Sequence, residues 1–93
     1  MDDILSEVMV EIEAEVRRAA ALWGRDFDDA NTPNDWGAYV LMYVGDALKM
    51  NRSTREFDPM WFRDNFKKAA GLCINALIAQ KRNGGLPKRH YDK

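Results

Sequence analysis

Thr32-Pro33-Asn34-Asp35-Trp36-Gly37-Ala38-Tyr39-Val40-Leu41-Met42-Tyr43-Val44-Gly45-Asp46-Ala47-Leu48-Lys49-Met50 is the stretch from which the fold is read. Thr32 is a good N-cap, and Pro33 suits a first helical position because its missing N–H is not needed there. Asp35, three residues after Thr32, completes an imperfect capping box. The run from Trp36 to Val44 is apolar on every side, and a helix of that kind is normally buried. The stretch therefore predicts a helix over 33–50 around which the rest of the chain packs. Gly37 and Gly45 lower helix propensity, which predicts the close approach of another helix.

Working outward, Leu5, Val8, Ile12, Val16, Ala19 and Trp23 recur at steps of three and four. They predict a helix over 3–23 with one apolar stripe. Asp2 and Asp3 favour its positive end, Glu13 can pair with Arg17, and Gly24 suits a left-handed cap. Arg25 to Asn31 reads as a polar connection. It departs from a calcium loop, which would need Gly where Asn31 stands and Glu where Gly37 stands. Asn51 to Phe57 reads as a polar, basic loop. Asp58-Pro59 repeats the helix-start signal and opens a helix over 59–82. Its apolar stripe is Phe62, Phe66, Ala69, Ala70, Cys73, Ala76 and Leu77. Small residues around Gly71 predict tight packing, and Cys73 reads as a small core residue. Asn83-Gly84-Gly85 stops the helix, leaving a basic tail that could fold back through His90 and Tyr91.

Three main helices in 93 residues make one all-α domain. So short a chain buries only about 60–65% of its unfolded surface, and the middle helix is apolar on more than one face. A helical-bundle homodimer is therefore expected. Residues 1–35 hold ten acids against three bases, a net −7, whereas residues 36–93 hold five acids against eleven bases, a net +6. The two halves should attract each other, within a chain or between chains. One cysteine excludes an internal disulfide, and no segment has the length and apolarity to span a membrane, so a cytoplasmic location is expected.

The chemistry on offer is sparse. One Cys and one His exclude a zinc pattern, and no nucleophile–base set or phosphate-cradling loop is visible. Carboxylates remain. Glu11 and Glu15 lie one turn apart, and Asp46 is the one acid inside the apolar helix, so these three are the candidate magnesium ligands. Trp36, Tyr39, Tyr43, Arg63, Lys67, His90 and Tyr91 are the candidate interaction surface. Nucleic-acid binding through Arg52, Arg55, Arg63, Lys67, Lys68 and the tail is a weaker alternative, given the acidic first helix and a pI near 5.8.

Trp23-Gly24, Asn31-Thr32-Pro33-Asn34-Asp35-Trp36, Tyr39 and Tyr43-Val44-Gly45-Asp46-Ala47 resemble a group of small phage and prophage proteins often labelled MazG-like. Phe62-Arg63, Lys68-Ala69-Ala70 and the closing Gly84-Gly85-Leu86-Pro87 and Arg89-His90-Tyr91-Asp92 are similar too. The resemblance covers residues 7–92 and implies a helical, dimeric protein. The all-α nucleoside triphosphate pyrophosphatases to which that group is compared hold magnesium with Glu-Glu-x-x-Glu on one helix and Glu-x-x-Asp on the next. Here the second helix offers Tyr43-Val44-Gly45-Asp46, and Lys67 to Gln80 contains no acid. The expectation is thus a non-catalytic accessory protein, with no cofactor, that binds a host or phage protein. A diverged magnesium-dependent pyrophosphatase is the alternative.

Overall fold

The computed structural model describes residues 3–49, 56–89, 91 and 92. Their regular structure is all helical: α1 spans Asp3–Trp23, α2 Arg25–Ala30, α3 Pro33–Ala47 and α4 Pro59–Asn83. The capping chemistry sets these bounds. The Thr32 hydroxyl accepts from the Asp35 N–H while the Asp35 carboxylate accepts from the Thr32 N–H, closing the box at the start of α3. The Asp58 carboxylate accepts from the N–H groups of Met60 and Trp61 at the start of α4. At its end Gly84 takes the left-handed conformation, φ 69°, and the Gly85 N–H reaches back to the Gln80 carbonyl at 2.8 Å.

Two expectations about elements need correction. Arg25–Ala30 is a short helix, not an irregular connection. Gly24, at φ 83° and ψ 162°, ends α1 and breaks the axis, and α2 begins at the next residue. α3 ends at Ala47, short of the expected Met50, which itself lies outside the described residues together with Asp2, Arg52 and Arg55.

The larger correction concerns the centre. α4, not α3, is the hub: α1, α2 and α3 all pack on it, and no Cα of α1 comes within 8 Å of one in α3. α1 runs parallel to α4, with Glu11 paired to Arg63 near one end and Asp29 of α2 paired to Arg82 at the other. α3 runs antiparallel, with the Trp61 indole N–H donating to the Asp46 carbonyl at 2.6 Å. Helices arranged this way form an open layer instead of a closed bundle. The close helix approach occurs at Gly71, where an added Cβ would lie 3.0 Å from Glu15 Cγ. At Gly37 and Gly45, where it was expected, nothing lies within 4 Å.

An open layer has a thin core. The buried apolar residues are Ala19, Trp36, Ala47, Ala69 and Ala79, and among the described residues no large side chain is fully buried. The all-round apolar helix is therefore not enclosed: Leu41 is 70% exposed. Cys73 is exposed as well, contrary to its reading as a core residue. Leu77, one turn on, is 63% exposed, and Phe66 lies open on the same side of α4. Buried Asn65 and Asn75 keep their amides satisfied, by the Trp61 carbonyl and the Val16 carbonyl respectively. The radius of gyration is 15.3 Å, against about 12 Å for a compact domain of this length.

Candidate binding groove

The three candidate magnesium ligands are each engaged elsewhere. Glu11 pairs with Arg63. Glu15 takes a fork of hydrogen bonds from Arg18, which raises the guanidinium pKa, and its stem lies against Gly71. Asp46 pairs with Lys49 at 2.8 Å. Among the described residues no group of three or more His, Cys, Asp or Glu side chains comes together to hold a metal ion. Among the described residues, Glu11, Glu15 and Asp46 are thus not gathered into one donor set.

The expected interaction surface divides in a similar way. Arg63 and Lys67 line a shallow groove between α1 and α4 with Val8, Phe62 and Phe66. Trp36, expected on a surface, is 4% exposed. Tyr91 does fold back, and its hydroxyl accepts a hydrogen bond from the Asn34 amide at 3.2 Å. Arg89 lies 4.5 Å from the Tyr91 ring centroid and forks onto Asp92, whose carboxyl is held below its usual range by those bonds. His90 lies outside the described residues.

Trp36, Tyr39 and Tyr43 belong to a second groove, of about 300 Å³, with α1, α2 and α3 as walls and Leu72 and Asn75 of α4 in its floor. It exists because α1 and α3 sit on different flanks of α4 and leave a gap between them. Trp23 at the end of α1 and Phe27 in α2 stack at 5.2 Å, and Tyr39 stands 6.3 Å from Phe27. The Lys68 ammonium sits 5.7 Å from the Tyr43 ring centroid. The Trp36 indole N–H is buried with no acceptor among the described residues. A lost acceptor of this kind costs about 1–3 kcal/mol, which marks Trp36 as imperfectly housed in the single chain.

The electrostatics of this groove rest on one residue. Among the described residues Asp28 is its only charged lining residue. Arg25 and Arg82 both pair with neighbouring Asp29, and the Arg82 and Asn83 hydrogen bonds hold the Asp29 carboxyl low. Asp28 receives no such bond, and burial raises its carboxyl pKa although Arg82 partly opposes the shift. Trp23, Phe27 and Asp28 escape a sequence reading that treats 25–31 as a loop. The available signal was the close succession of Trp23 and Phe27, two rings that flank the Gly24 turn and stack once the chain becomes helical again at Arg25.

Compared with known proteins, the chain matches no family model, no curated protein and no solved structure.

Proposed function

We propose that the chain is a non-catalytic accessory protein, of the phage or prophage MazG-like kind, that works as a homodimer and acts by binding another protein. The observation that carries the reading is the uncovered apolar surface. The accessible surface is 7070 Å², whereas a compact monomer of 10.7 kDa exposes about 5,500 Å². The excess, polar and apolar surface together, is roughly 1,500 Å² per chain. Covering it against a second copy would bury about 3,000 Å² in total, within the range of obligate homodimers.

One strip supplies a natural centre for that contact. Phe62, Phe66, Ala70, Cys73 and Leu77 follow one another on α4 without a charged residue among them, in a chain that is 31% charged. α4 is also the helix on which the others pack, so two copies meeting there would join their layers into one closed bundle. The acids that catalysis by magnesium would need are already paired with Arg63, Arg18 and Lys49. A thermal-shift panel with magnesium or manganese, alone and with each nucleoside triphosphate, tests the non-catalytic part. A flat panel is expected. A rise in melting temperature that requires metal and nucleotide together would count against it.

A further inference from the structure

Three features of the α1–α2–α3 groove bear on one kind of ligand. Its walls include the rings of Trp23, Phe27 and Tyr39 and the buried Trp36, and aromatic faces attract cations through their quadrupoles. Tyr43 is left out of that count because Lys68 already lies over it. Among the described residues the only charge lining the groove is the Asp28 carboxylate, which has no ion-pair partner there because Arg25 and Arg82 are turned to Asp29. At about 300 Å³ the space lies at the lower end of ligand pockets, the scale of one inserted side chain.

We propose that this groove receives an arginine side chain of a partner protein, its guanidinium lying against the rings and paired with Asp28. Guanidinium suits the site better than an ammonium group. It is planar, stacks on aromatic faces, is weakly hydrated and forks onto a carboxylate. The chain's own tail displays the same chemistry, with Arg89 over the Tyr91 ring and forked onto Asp92. A carboxylate in partly buried surroundings also gains most from a cation brought to it, since the field is less screened there.

The source of the arginine rests on the binding-protein reading above, but the site is tested separately from it. Of the three tryptophans, Trp23 and Trp36 line the groove, and a Trp61→Phe background leaves them as the only reporters. N-acetyl-arginine amide is titrated against tryptophan emission, with N-acetyl-citrulline amide as the neutral ligand of the same shape. The expected result is a saturable response to the arginine ligand and at least about ten-fold weaker binding of citrulline, which is about 1.4 kcal/mol. Asp28→Asn removes that preference, and Trp23→Leu, at an exposed ring, weakens binding while helix content stays unchanged. Equal responses to both ligands, no saturable response, or an arginine preference that survives Asp28→Asn would each overturn the proposal. A groove filled by a second copy falls under the unresponsive outcome. An arginine-selective monomer would remove the dimer and leave the groove, and an unresponsive dimer would do the reverse.

Discussion

Replacing Gly37 and Gly71 by alanine, one at a time, should move stability in opposite directions. Both glycines sit inside helices, where alanine is favoured by about 0.8–1 kcal/mol. At Gly37 nothing lies within 4 Å of the added Cβ, so Gly37→Ala should keep that gain. For a domain of this size about 1 kcal/mol raises the melting temperature by about 4–8 °C. At Gly71 the added Cβ meets Glu15 Cγ at 3.0 Å and the Val16 backbone nitrogen at 3.6 Å. Glu15 cannot simply swing away, because its carboxylate is held by Arg18. Overpacking of this kind costs about 1–3 kcal/mol, which offsets the propensity gain and leaves a net effect between zero and a loss of about 2 kcal/mol. Urea unfolding followed by circular dichroism reads both variants. A loss for Gly37→Ala would mean that this side of α3 is covered in solution. A gain for Gly71→Ala equal to that for Gly37→Ala would mean that α1 does not press on α4 as described.

Two further predictions concern α4 and α2. Asp58→Ala removes the carboxylate that caps α4 through Met60 and Trp61 and should cost about 1 kcal/mol, read from the same urea curves. Asp28 and Asp29 should respond to pH with opposite sign. The Asp28 carboxyl is raised by burial, so its ionisation opposes folding. Asp28→Asn should therefore stabilise the protein at pH 7, with the gain fading as pH falls through the raised folded pKa and gone once the unfolded aspartate value near pH 4 is reached. The Asp29 carboxyl is lowered by Arg82 and Asn83, so it contributes stability at pH 7 that disappears as the solution is acidified through its folded pKa. Asp29→Asn should be destabilising at pH 7, with the loss shrinking as pH falls below the unfolded aspartate range near pH 4. Melting temperatures of the three proteins across that range check both signs. A stabilising Asp28→Asn that also loses arginine binding would mark Asp28 as kept for a ligand at a cost to the fold.

How much of this was legible in the sequence follows from the range over which each signal acts. Caps are local: Thr32-Pro33-x-Asp35 and Asp58-Pro59 name their helices because the donors they satisfy lie two or three residues away. The extent of α1 and the tight site at Gly71 were legible for the same reason, as periodicity and small size are properties of one segment. Which helix sits in the middle was not. An all-round apolar helix reads as the centre of a core, yet α3 lies on one flank of α4 and leaves Leu41 open. Apolar character reports that a surface should be covered and does not say by what. The same gap explains Cys73 and Leu77, which were expected inside and lie outside. The groove was half legible. Trp36, Tyr39 and Tyr43 were singled out, but Trp23, Phe27 and Asp28 join them only because Gly24 redirects the chain into α2.

The central claim is that a second copy covers the apolar face of α4, and sedimentation equilibrium over a range of micromolar concentrations tests it most directly. The account predicts a mass of twice the 10.7 kDa chain. It also predicts that Leu77→Asp, at a side chain already 63% exposed in the single chain, shifts the mass toward the monomer without loss of helix. A monomer mass at every concentration, or a dimer indifferent to Leu77→Asp, would contradict it.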